Sequence, residues 1–277
     1  MFHFKLALNA STLFPFKLDV KEQVNIAAEA GYDGIELWVK DIEEYLEKGG
    51  SIKELRSLIE DRGISVVNAI TFFKWTDVDE HIRKKGFDQA EREITMLKEL
   101  GCKAVAAPPS GNVEGLSLEA MAVHFSQLTR LARQIGVEPY LEFWGKSKKL
   151  SKLSEALYVA MESGIPDVKF LLDPFHMYTG GSKLESLVYL HANNIGIVHV
   201  NDYPANPTSE FITDHDRVFP GEGIAPNQRF ASLLKQIGYS GYLSLELFIQ
   251  NFGRQTPIEV AKYGIKKTKQ AYSLVER

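Results

Sequence analysis

Glu142 sits between Leu141 and Phe143, and Glu246 between Leu245 and Leu247. A carboxylate inside an apolar run is costly to bury alone, so something must compensate its charge. Asp173 and His176 stand three apart in "LLDPFHMYTGG" (171–181), directly behind another apolar run. His199 lies in "IGIVHVN" (195–201), just ahead of Asn201 and Asp202. Three carboxylates and an imidazole gathered in one place would repel each other without a cation, and a divalent ion removes that repulsion. An oxygen-rich set with one nitrogen suits Mn, Mg, Co or Zn, and ligand type alone does not choose among them. The Asp173–His176 pair also has a plain structural reading: Asp before Pro opens turns, and a nearby His often bonds backbone.

These positions share a place only if the chain brings several strand ends together. Eight β-rich apolar runs recur: 4–10, 34–38, 64–70, 104–109, 138–144, 168–173, 195–201 and 241–248. Between them lie segments with helical apolar spacing. In one, Val20, Val24, Ala27 and Ala28 share a face, Asp19 caps and Gly31 stops. Another runs from the cap Ser117 to the stop Gly136, and "SKLSEALYVAMESG" (151–164) and "SKLESLVYLHANN" (182–194) repeat the pattern. Eight strands alternating with helices imply right-handed βαβ units. The count and spacing predict an α/β fold, a single (β/α)8 TIM barrel over residues 1–277, rather than an open doubly wound sheet. No G-x-G-x-x-G follows the first strand, which counts against dinucleotide binding.

In such a barrel chemistry gathers at the C-terminal ends of the strands. Those ends carry Asn9, Glu36, Asn68, Glu142, Asp173, His199 and Glu246. Strands five to eight are consecutive and can aim Glu142, Asp173, His199 and Glu246 at one spot as metal ligands. Asn9 and Asn68 are expected as strand-end hydrogen bonders or substrate contacts, and Glu36 as a rim residue bonding backbone. His3, His81 and His191 are expected to be structural, and His124 to pack on an amphipathic helix or lie at the surface. Trp38, Phe72, Phe73, Trp144 and Phe248 are candidates for an apolar wall against a ring's C–H face or for barrel packing.

Composition narrows the partners. Of 277 residues, 44% are hydrophobic and 25% charged, and the net charge is −4. The densest basic stretch, "KSKKLSK" (146–152), is too short for a nucleic-acid footprint and is expected as a solvated loop and helix start. Cys102 is the single cysteine, which excludes an intrachain disulfide and a Cys-based zinc site and leaves it as a small core residue. No signal peptide or membrane-length apolar run is seen, so a cytoplasmic protein is expected, with no nucleic-acid or membrane partner.

"NAITFF", "LEFWG", "LLDPFHMYTGGSKLESL", "HVND" followed by "FITDHDRVFPGEG", and "LSLELF" together bring a family into view. The chain resembles the xylose isomerase-like TIM barrel sugar isomerases and epimerases, with the inosose (2-keto-myo-inositol) isomerase group nearest. The resemblance implies a metal-dependent isomerase or epimerase of carbohydrate metabolism and inositol catabolism. It would abstract a proton next to a carbonyl through a metal-stabilised enediolate. By the same resemblance, Glu142, Asp173, His199 and Glu246 hold one divalent ion, Glu142 and Glu246 exchange the proton, and His176 contacts the substrate beside the metal and assists catalysis. Arg217 steadies a substrate oxygen. Asn68, from its strand end, and Trp144, from the aromatic set, are expected as further substrate contacts. The partner implied is a small-molecule sugar or keto-inositol, with room for a homo-oligomer. The sequence departs from the inosose isomerases after Asn9, where no acidic residue follows until Asp19, and in "WGKSKKLSK", so the substrate stays open. Ketohexose 3-epimerase, hydroxypyruvate isomerase and dehydroshikimate dehydratase are the nearest alternatives. An apurinic-site endonuclease would need further metal ligands and a basic surface, and a non-catalytic sugar-binding barrel would show a damaged site.

Overall fold

A computed structural model describes residues 2–274. Eight strands carry the frame: β1 (Lys5–Asn9), β2 (Gly34–Trp38), β3 (Ser65–Ile70), β4 (Ala104–Ala107), β5 (Glu138–Glu142), β6 (Lys169–Leu172), β7 (Ile195–Val200) and β8 (Tyr242–Leu245). They form one sheet in the order β3-β2-β1-β8-β7-β6-β5-β4, and every pairing is parallel. The sheet curls until β3 and β4 are neighbours; the Thr71 hydroxyl donates to the carbonyl of Ala106 at 3.0 Å across that seam. The expected barrel is therefore present, with each strand within a few residues of its apolar run.

The helices are α1 (Val20–Ala30), α2 (Val39–Glu47), α3 (Ile52–Asp61), α4 (Glu80–Leu100), α5 (Leu118–Ile135), α6 (Leu153–Glu162), α7 (Pro174–Gly180), α8 (Asn227–Gln236) and α9 (Pro257–Tyr272). Their ends follow local chemistry. Asp19 and Glu22 form a reciprocal capping box at the start of α1, and Gly31 closes it at φ 95°. Ser117 caps α5, which Gly136 ends at φ 97°. One expectation is corrected: 182–194 is not an α-helix but two 3-10 turns, Leu184–Tyr189 and Ala192–Asn194. Its apolar residues at 184, 187 and 190 recur every three positions, a spacing that a 3-10 turn satisfies as well as an α-helix does.

Strand alternation sorts the side chains. Leu141, Phe143, Leu172, Val198, Val200, Leu243, Leu245 and Leu247 belong to the large core shared with the helices. Leu171 and Ile197 belong to a second cluster, flanked by Tyr140 and Tyr242, that fills the barrel. Successive side chains of a strand point to opposite faces, so the inward phase running through Tyr140, Leu171, Ile197 and Ser244 continues to Glu142, Asp173, His199 and Glu246. The same packing that buries the leucines delivers four polar residues to the barrel mouth.

Candidate metal centre

Asp173 does two jobs at the start of α7. Its Oδ1 accepts from the backbone N–H of Phe175 at 2.7 Å, capping the helix, and from the Asn201 amide at 3.1 Å. Its Oδ2 faces the barrel axis, 3.9 Å from His199 Nδ1. Glu246 Oε2 lies 3.1 Å from the same nitrogen. One atom each from Asp173, His199 and Glu246 falls within a span of 4.8 Å, and all three residues are buried. His199 Nδ1 faces these oxygens without forming a hydrogen bond. An orphaned imidazole nitrogen beside two carboxylate oxygens is a donor set that fits a divalent cation such as zinc. Among the described residues this is the one such group.

Arg217 completes the charge arrangement. Its Nη1 donates to Asp173 Oδ2 at 2.9 Å and to Glu246 Oε2 at 2.6 Å, while Nη2 donates to Asp214 Oδ1 at 2.6 Å. The guanidinium also lies over the Phe175 ring, 4.4 Å from its centre. Burial pushes the Asp173 carboxyl up, yet Arg217, His176 and His199 outweigh it and hold it well below the usual carboxylate range. Burial opposes a charged His199, but Glu246 and Glu36 raise its ring well above the ordinary value.

Glu142 stands apart from the tight group of three. Its Oε1 is 3.7 Å from His176 Nε2, and burial pushes its carboxyl up to about 8. His176 itself is lowered from its ordinary value, chiefly by burial.

Above these residues opens a cavity of about 720 Å³, a size that suits a small molecule. Glu142, His176, His199, Arg217 and Glu246 are among the residues that line it. Aromatic side chains line it as well: Trp38 packs on Phe72 at 5.3 Å and on Phe248 at 6.1 Å, and Phe72 meets Trp144 at 6.1 Å. Of the aromatic candidates, Phe73 is the exception; it is buried in the large core and does not line the cavity.

Residues 210–214 also line the cavity. Lys146 Nζ donates to the carbonyls of Ser209 and Glu210, so the first lysine of "KSKKLSK" is tied to this loop rather than simply solvated. Asp202 anchors the loop's far side by accepting from the backbone of Gly221 and Ala225 and from the Asn227 amide at 2.7–2.8 Å. At Gly223 a Cβ would come within 2.2 Å of the Tyr203 carbonyl, so "FPGEG" closes tightly only with glycine there.

Three strand-end residues turn away from the cavity. Asn9, Glu36 and Asn68 pair in register across β1, β2 and β3, with a shift after Ile35 that places Glu36 opposite Asn68 instead of Val67. Paired residues point the same way, so this shift lines up the three polar side chains. Asn68 donates to Glu36 Oε1 at 2.7 Å, and Asn9 donates to Glu36 Oε2 at 3.3 Å and to Glu246 Oε1 at 3.1 Å. Asn68, expected as a strand-end hydrogen bonder or a substrate contact, bonds Glu36 and does not line the cavity. The expectation that Glu36 bonds backbone at the rim is likewise corrected: its carboxylate meets His199 Nε2 at 3.0 Å. Only His199, one hundred and sixty-three residues away, reveals this role, and no local pattern in "GIELW" signals it. His124 is buried and pushed down to about 4 by that burial, and Cys102 is a buried core thiol.

The model of the xylose isomerase-like TIM barrel family matches residues 24–271. The chain belongs to that family. It is similar to the inosose isomerase of Bacillus subtilis, 30% identical, with 95% of this chain and 96% of the relative covered. The inosose isomerase of Bacillus velezensis is 29% identical, with 97% of each chain covered. Among solved structures, the IolI protein with a bound zinc atom superposes with a TM-score of 0.89 at 27% identity, over 97% of this chain and 98% of that one. A xylose isomerase-like barrel with a buried Asp/His/Glu group thus agrees in fold with a neighbour that holds zinc.

Proposed function

We propose that the protein is a divalent-metal-dependent isomerase or epimerase that moves a proton at the carbon next to a carbonyl of a sugar or keto-inositol. The observation that carries this reading is the convergence of Asp173, His199 and Glu246 at a cavity that is also lined by Trp38, Phe72, Trp144 and Phe248. The bound ion would supply Lewis acidity toward the substrate oxygens. Glu142 and Glu246 are the pair that removes and returns the proton, and each remains proposed as a ligand because a ligating carboxylate keeps a second oxygen for proton transfer. The two glutamates come from β5 and β8, so loss and return of the proton need not use one face of the substrate. Return to the neighbouring carbon gives the isomer, and return to the same carbon from the other face gives the epimer.

His176 lines the cavity beside Glu142 and serves the hydroxyl proton, while Arg217 offers fixed positive charge to an oxygen as negative charge develops. Trp144 and its aromatic neighbours receive the C–H face of the ring. Similarity to inosose isomerases makes a keto-inositol the first substrate to try, with a role in inositol catabolism in the cytoplasm. A net charge of −4 fits a small-molecule partner rather than nucleic acid. No helix of the described residues is long and apolar enough to cross a membrane. A homo-oligomer is compatible with this reading.

The test is proton exchange followed by NMR in D2O across a panel of inososes and ketoses, with zinc, manganese, cobalt or magnesium supplied. Loss of the signal at the carbon next to the carbonyl, with an isomer or epimer appearing, is the expected result. No exchange with any substrate–metal combination would overturn the reading.

A further inference from the structure

His199 shows each ring nitrogen to a different neighbourhood. Nδ1 faces Asp173 and Glu246 without a hydrogen bond, and Nε2 lies 3.0 and 3.2 Å from the two oxygens of Glu36. An ionised carboxylate only accepts, so Nε2, in hydrogen-bond contact with Glu36, carries a proton, whereas Nδ1 lies 3.1 Å from Glu246 Oε2 without hydrogen-bond geometry. In a neutral imidazole the other nitrogen then presents its lone pair. We propose that Glu36 is a positioning residue of the metal site: it holds the His199 ring in the orientation and Nε2–H tautomer that leave Nδ1 free for the ion. This rests on reading Asp173, His199 and Glu246 as the ion's site.

Glu36 has no freedom to turn away. It is fully buried, Asn68 donates to one of its oxygens and Asn9 to the other, and the register shift in β2–β3 fixes that alignment. Asn9 is held in turn by the Trp38 indole N–H, which donates to its Oδ1 at 2.8 Å. Glu36 does not line the cavity, and among the ion's proposed ligands it touches His199 directly and reaches Glu246 only through the Asn9 amide.

Zinc affinity, measured by competition with a chromophoric chelator and without substrate, tests the role. Glu36→Leu is expected to bind zinc about 10–100-fold more weakly than wild type, the usual cost of losing such a partner. Glu36→Gln keeps an oxygen that accepts from Nε2–H and is expected to recover most of that loss. The ¹⁵N spectrum of the zinc-loaded wild type should show a proton on His199 Nε2 and none on Nδ1. Wild-type affinity in a folded Glu36→Leu variant, or a proton found on Nδ1, would overturn the proposal. Should Glu36→Leu fail to fold, the wild-type spectrum decides. A wild-type protein that binds no zinc removes the ion site itself, and the positioning role with it.

Discussion

The two halves of the barrel mouth do different work with similar residues. At the ends of β5 to β8, Glu142, Asp173, His199 and Glu246 border or underlie the cavity and carry charge toward it. At the ends of β1 to β3, Asn9, Glu36 and Asn68 are equally buried yet lie outside the cavity, with their polar atoms spent on one another and on His199 and Glu246. A polar residue at a strand end is thus not by itself a substrate contact. What separates the halves is access to the cavity: Glu142, His199 and Glu246 line it, while Asn9, Glu36 and Asn68 do not.

The sharpest way to break this contrast is Glu246→Gln. Removing one member of the proton-transferring pair should lower turnover by about 10²–10⁴-fold, with the far-ultraviolet circular dichroism spectrum unchanged. Near-wild-type turnover from metal-loaded protein would show that the cavity half does not perform the chemistry. Asn68→Ala probes the other half. Losing the donor to a buried carboxylate should cost about 1–3 kcal/mol in urea unfolding, with less than about tenfold change in turnover, because the effect must pass through Glu36 and His199. A variant that loses turnover as Glu246→Gln does, while keeping its stability, would erase the distinction.

A third test of the cavity half is the dependence of stability on pH. Glu142 holds its proton more tightly folded than unfolded, since burial pushes its carboxyl up to about 8. The stability it contributes is full below the ordinary carboxylate value and is lost as pH rises through the folded one. Between those limits the metal-free protein should lose up to about 1.4 kcal/mol per pH unit from this group. Glu142→Gln should flatten that part of the stability profile, and an unchanged slope would show that Glu142 is not the titrating group.

The cavity half was legible because Glu142 and Glu246 interrupt leucine- and phenylalanine-rich runs, and the period of two makes such an interruption visible in one dimension. The supporting half was not. Glu36 in "GIELW" has the same local appearance, but its meaning depends on a one-residue register shift and on a histidine from β7. Neither leaves a trace in local spacing. Lys146 was hidden for the same reason, since its acceptors lie some sixty residues away. The 182–194 stretch shows the converse: its spacing was read clearly, but two helix types share it.

The antiparallel bridge between Asp202 and Val218, with reciprocal N–H to O distances of 2.9 Å, has a further consequence. It draws the two ends of the cover together independently of what lies between them. Closing a loop whose ends are already fixed depends only weakly on its length. Residues 204–207, which precede the carbonyls held by Lys146 and the Asp214–Arg217 pair, can therefore gain or lose sequence with little effect on the barrel or on the charge arrangement beneath.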